Sequence, residues 1–440
     1  MALEDSTRPD RSGDAPVATA RIERIYYATG ALFTLAASII WGVNTLFLLD
    51  SGLDIFGVML VNATFSAGQI FFELPTGVVA DTVGRRASFL LGIGALMVAT
   101  LGYVGSAVFD WGMAGFILAS ILLGFGFTCQ TGAVDAWLVD ALDANGFSGS
   151  KDRVFARSGM FNGVSMLVGT LGGGFLGQVS LALPYYVRTG LLGAAFALTL
   201  VFMRDIGFRP RPLRLSRFGE ESRHIFAAGI THGWRHPVVR PLLFVSVVNG
   251  FLIWYLFYAS QPYALELLGR EDFIWVAGAI TAFFSLAGVA GNALVGRVSR
   301  SRLGKRPASV LVVATAGLAL LATGMGVAGL LAPAGAHIAA FTVVVVLLGG
   351  YGIVSGIERP IRQAYINEHI PSAQRATVLS FDSFFADVGA VGGQLGLGAI
   401  AQAGSKALAY TIGGIVYFAA VPLYRRAGRA TDAPTPDSQD

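Results

Sequence analysis

Twelve stretches of mainly apolar residues follow one another along the chain, near 27–49, 55–80, 87–109, 113–139, 155–179, 183–203, 239–262, 274–297, 308–331, 337–357, 377–401 and 407–424. A helix of roughly 20 such residues crosses the ~30 Å hydrocarbon core of a bilayer. It does so because it satisfies its own backbone hydrogen bonds where no water can. A soluble core imitates one or two such runs, not twelve in series. The expected fold is therefore an all-α integral membrane protein with twelve transmembrane helices. Only 13% of residues are charged, against about 25% in soluble domains. The 57 glycines suit helices that must approach closely without a hydrophobic drive between them.

Lysine and arginine set the orientation. With the N-terminus in the cytoplasm, 28 of the 31 fall on the cytoplasmic side, leaving Arg188, Arg270 and Lys406. Both termini are thus expected inside. That distribution assigns the net charge of +4 to membrane topology and excludes nucleic acid as a partner. Residues 1–24 and 425–440 read as cytoplasmic tails, disordered at their polar ends. The first lacks the apolar core of a signal peptide. A basic linker, 204–238, separates a bundle at 25–203 from one at 239–424, six helices each. Its His224, His232 and His236 read as solvated positions rather than a metal site. The single cysteine, Cys129, rules out an intrachain disulfide.

An internal repeat supports the division. The hairpin Gly77–Arg86 after the second span has a degenerate twin, Gly296–Arg306, after the eighth, and Leu122–Gly126 echoes Leu347–Gly352. The chain thus reads as two six-helix pseudo-repeated bundles.

Polar side chains are costly in lipid, so they should face protein or water. In eight spans they recur at three- and four-residue spacing, on one helix face. The second span carries Asn62, Ser66, Gln69 and Glu73, and the eleventh carries Ser383, Asp387 and Gln394. Such stripes outline a solute pathway, although packing hydrogen bonds account for most single Ser, Thr and Asn positions. Its candidate lining comprises Trp41, Asn44, Asn62, Gln69, Asn162, Asn249, Trp254, Tyr258, Asn292, Glu358 and Gln394. Spans 3, 6, 9 and 12 lack a stripe and read as lipid-facing supports. Glu73, Asp135, Asp382 and Asp387 are candidate proton carriers, because a buried carboxyl can take up and release a proton as its exposure changes. A structural acid bonded to amides or an arginine is the competing reading for each.

The hairpin motif Gly77, Asp81, Gly84, Arg85 and Arg86 resembles the G-x-x-x-D-x-x-G-R-R/K signature of the major facilitator superfamily, and the resemblance spans about 25–425. It implies a latch in which the acid and an arginine bind across to the other half, near Arg375–Phe381. Asp140 is placed like the fourth-helix acid completing that network. Phe72–Gly77 and Gln374–Ser380 resemble a bacterial branch of drug-efflux proteins, which implies a multi-pass protein of the bacterial cytoplasmic membrane. Thr170 replaces the proline of that branch's antiporter signature. Ser120 stands where the family's helix-4 arginine is expected, so proton coupling falls to other groups such as Glu73.

The resemblance implies a transporter, not an enzyme. It would be a monomer that uses no cofactor and no metal, working on a small-molecule substrate and protons within the lipid bilayer. Proton-coupled multidrug export by antiport is one reading; import of a nutrient or metabolite on the same fold is the other.

Overall fold

In a computed structural model of the chain, residues 14–208, 234, 236–333, 335–370 and 375–432 are described. The outermost tails, most of the linker with His224 and His232, and Gln374 lie outside them. Among the described residues fifteen helices and no strand occur. The first eight are α1 (Asp14–Ser38), α2 (Asn44–Asp50), α3 (Ile55–Thr82), α4 (Arg85–Val108), α5 (Gly112–Gln130), α6 (Ala133–Ala144), α7 (Lys151–Val179) and α8 (Leu183–Phe202). After the linker come α9 (Val239–Leu268), α10 (Ile274–Arg300), α11 (Pro307–Leu330), α12 (His337–Glu368), α13 (Arg375–Ala403), α14 (Lys406–Tyr417) and α15 (Ala420–Asp432).

Eleven helical stretches among them are long and apolar enough to cross a membrane, from 55–73 through 406–432. The expected first span, 27–49, is not one continuous helix, because a turn at 39–43 parts α1 from α2. Both tails are also shorter than expected. Helix α1 begins at Asp14, and α15 continues to Asp432 with Tyr424 and Ala427 buried. That amphipathic helix packs on α9 and α11, which holds residues 425–432 in order.

Side-chain oxygens start several helices. Asp54 accepts from the Gly57 amide at 2.7 Å, and Ser405 from the Leu408 amide at 3.0 Å. Helix α9 is capped by the ring of His236, whose Nδ1 accepts from the amides of Val238 and Val239 at 3.3 Å. Burial, and then nearby His369, lower the pKa of that imidazole from its ordinary value.

Packing sorts the helices into two groups, α1 to α8 before the linker and α9 to α15 after it. In the first group α1 lies on α7 and α8, and α5 on α3 and α4; in the second α9 lies on α13, α10 on α12, and α11 on α12 and α14. One buried apolar cluster belongs to the first group, and two belong mainly to the second. Two seams join the groups, α3 against α13 and α7 against α10, with α2 touching α9.

Five hydrogen bonds cross the seams among the described residues. Thr45 donates to the Tyr258 carbonyl at 2.9 Å. That carbonyl is left without a helical donor because Pro262, four residues on, has no N–H. Gln261 donates to the carbonyl of Trp41, inside the α1–α2 turn, at 2.6 Å. Gln178 bridges the Asp272 carbonyl and the Trp275 amide, and Gln394 donates to Ser66 at 3.2 Å. Four of the five lie toward the end bearing the loops at 51–54 and 269–273, and the Ser66–Gln394 bond lies near mid-helix. Glycine permits this closeness: a Cβ on Gly42 would stand 2.7 Å from the Gly278 Cα. The seam is sealed at that end. The outer surface is apolar, with Val164, Leu320 and Val346 all more than 60% exposed, as hydrocarbon and not water would favour.

Candidate functional site

Between the two groups lies a cavity of about 570 Å³, within the range that holds drug-sized ligands. Seven of the residues expected on the pathway line it. Trp41, Asn44, Asn62 and Gln69 come from the first group; Trp254, Tyr258 and Asn292 come from the second. The other four lie outside the lining. Asn249 accepts from Tyr417 Oη at 2.5 Å, Glu358 from Tyr424 Oη at 2.6 Å, Gln394 holds Ser66, and Asn162 packs on Gly30.

Polar groups are fixed at the sealed end of this space. Tyr185 Oη donates to Asn44 Oδ1 at 2.8 Å, Asn44 Nδ2 to Asn62 Oδ1 at 3.2 Å, and Asn62 Nδ2 to the Val58 carbonyl at 3.0 Å. The chain of bonds sets the orientation of both amides. Aromatic rings cover much of the wall: Trp254 stacks on Tyr258 with centroids 5.9 Å apart, and Phe257 meets Trp41 edge-on at 6.3 Å.

Sequence periodicity missed two contributors. Tyr103 of α4 and Arg188 of α8 come from the third and sixth spans, which read as lipid-facing, yet both line the cavity. Tyr103 stacks on Tyr185 and shares a 2.6 Å hydrogen bond with Ser120, the position where the resemblance implies an arginine. A guanidinium does reach this neighbourhood, but from α8. One signal pointed to it: Arg188 is a lone cation inside an apolar run, on the side that the charge rule leaves almost free of cations.

The candidate acids occupy different settings, none in the cavity lining. Asp382 is held by Arg362 at 2.6 and 2.9 Å, and Ser246 both donates to it and accepts from Arg362. Asp135 accepts from Tyr26 Oη at 2.6 Å. Glu73 lies exposed on α3 and Asp387 half-buried on α13. Each stands seven residues, about two helical turns, from one partner of the Ser66–Gln394 bond. Two turns restore the same face, so the two carboxyls lie on opposite sides of one seam.

At the hairpin, Arg85 pairs with Asp81 at 2.6 Å and reaches Asp140 at 3.8 Å. Gly84 adopts φ +125°, a conformation that glycine favours, and the turn is pinned from the end of α8. Asp205 accepts from the Arg86 amide at 2.9 Å, and the Arg86 guanidinium donates to the Leu200 carbonyl at 2.7 Å. Gly77 is exposed with open space around it. These contacts stay inside the first group, while Arg375 is exposed at the start of α13.

A family model for the Major Facilitator Superfamily matches residues 26–327. The chain therefore belongs to that superfamily: it is a multi-pass membrane transporter. It is 28% identical to the class C tetracycline resistance protein of Escherichia coli, over 86% of this chain and 88% of that protein. It is 25% identical to the class G tetracycline resistance protein of Vibrio anguillarum, over 84% and 87%. The crystal structure of the nucleoside transporter NupG shares the fold with a TM-score of 0.71 at 11% identity, covering 95% of this chain and 100% of that one.

Proposed function

We propose that this protein exports amphipathic organic compounds across the bacterial cytoplasmic membrane in exchange for protons, as a monomer working by alternating access. The observation that carries the reading is the aromatic cavity between two helix groups, sealed at one end only by contacts that a rocking motion can break. Two relatives of nearly full length are tetracycline resistance proteins, which supports export over import.

The architecture behind this reading has twelve spans, with α1 and α2 together forming the first. Bundles at 25–203 and 239–424 are joined by the linker at 204–238, and both termini are cytoplasmic. In that orientation the sealed end is external, so the conformation faces inward. Cytoplasmic closure would bring the α3 and α13 ends together and with them Glu73 and Asp387, each two turns from one partner of the Ser66–Gln394 bond on that seam. Two carboxylates forced together share a proton, because both cannot stay ionised at close range. Opening to the cytoplasm separates them and releases it, which couples proton entry to export. The hairpin network of Asp81, Arg85 and Asp140, pinned by Asp205, then gains a partner around Arg375 when that side closes.

Growth of cells with and without the gene on a panel of toxic amphipathic compounds, tetracycline included, tests the direction. Export predicts a several-fold higher inhibitory concentration for some compounds. Greater sensitivity, or growth dependence on one nutrient, would point to import.

A further inference from the structure

Arg188 is 2% exposed, lies within a helix that reads as membrane-spanning, and lines the cavity. No ion pair or hydrogen bond among the described residues includes its guanidinium, and its Nε has no acceptor. Its neighbours, Tyr103 and Tyr185, are uncharged at neutral pH. The cation is thus buried without a counter-ion, in surroundings where charged groups are retained for function or paired. The rest of the wall continues the pattern. A second arginine, Arg359, lines the cavity nearer the hairpin end, and among the described residues no acid lines it. The acids of the seam do not substitute: Asp382 already holds Arg362, and Glu73 and Asp387 lie two turns from Ser66 and Gln394, away from the sealed end.

We propose that the cavity selects substrates bearing an anionic group, a carboxylate, sulfonate or acidic enolate on an apolar body. Arg188 pairs with the anion at the sealed end while Trp41, Trp254 and Phe257 hold the apolar part. The inference rests on the cavity being the substrate site, as proposed above, and adds the charge of the molecule that enters. A guanidinium suits the role because its planar donors match a two-oxygen anion and it stays charged when buried.

The test uses the full chain in phosphatidylcholine nanodiscs and two probes with the same ring system. One is the anion 8-anilinonaphthalene-1-sulfonate; the other is the neutral N-phenyl-1-naphthylamine. Energy transfer from tryptophan, with Trp41 and Trp254 in the wall, reports binding after subtraction of empty discs. The sulfonate should bind at least tenfold more tightly than the neutral probe in the unaltered protein. Arg188→Gln should remove that difference while leaving the neutral probe within twofold, which also shows that the variant is folded. Arg188→Lys should keep part of the preference. Equal binding of the two probes to the unaltered protein, or a sulfonate preference that survives Arg188→Gln, would overturn the proposal. Arg188-dependent anion binding in a protein that exports nothing would overturn only the export reading. Export of neutral and cationic compounds with no anion preference would overturn only this one.

Discussion

Single side chains here are decided by partners that lie far away in sequence. Asp382 stands out in the sequence as a proton carrier because it is an acid in an apolar helix. Arg362, on a different helix, pairs with it, with Ser246 between them. Glu358 likewise sits on the expected face, but Tyr424, 66 residues later, holds it. Spacing reveals which face a residue occupies and not what meets it, so cavity lining was legible for Trp41, Asn44 and Gln69 but not for Arg188. The Arg362–Asp382 pair is largely buried, and removing one partner of such a pair costs about 3–5 kcal/mol. Arg362→Met or Asp382→Asn alone should therefore lower the unfolding temperature of the purified protein sharply. The double variant Arg362→Met/Asp382→Leu should recover most of it and retain transport. Loss of transport in a stable double variant would instead support Asp382 as a proton carrier.

At the level of elements, the apolar runs located nearly every helix, since twenty residues of hydrocarbon leave little alternative. They missed the breaks, because a turn at 39–43 depends on contact with Gly278 and on Gln261 capturing a freed carbonyl. They also missed the order in the tails, where α15 gains its stability from packing on α9 and α11. The start of α9 makes a pH-dependent case. His236 caps it as a neutral acceptor, and burial lowers its pKa below the ordinary 6.5. A depressed value means the folded protein resists protonation. The cap therefore stabilises fully above 6.5 and is lost progressively as pH falls below it. Thermal unfolding scans should show the native protein losing a few degrees between about pH 7.5 and 5.5 relative to His236→Asn, which keeps an acceptor but does not titrate. Parallel pH profiles would remove His236 from this role.

Across the whole molecule, two helix groups meet along two seams around one aromatic cavity, tied at one end by Thr45, Gln178 and Gln261 and near mid-helix by Gln394. The hairpin at Gly77–Arg86 and the acids Glu73 and Asp387 lie toward the other end, where closure would have to occur. Under the proposed function this placement divides the work: the cavity would bind, the hairpin would steady one conformation, and the acid pair would link closure to a proton. Uptake of a fluorescent amphipathic compound into everted membrane vesicles carrying an imposed pH gradient, acid inside, tests this division most directly. Accumulation in the native protein, abolished by a protonophore and lost in Glu73→Gln that still binds the compound, is the predicted result. Accumulation unaffected by the protonophore, or full activity of Glu73→Gln, would contradict it.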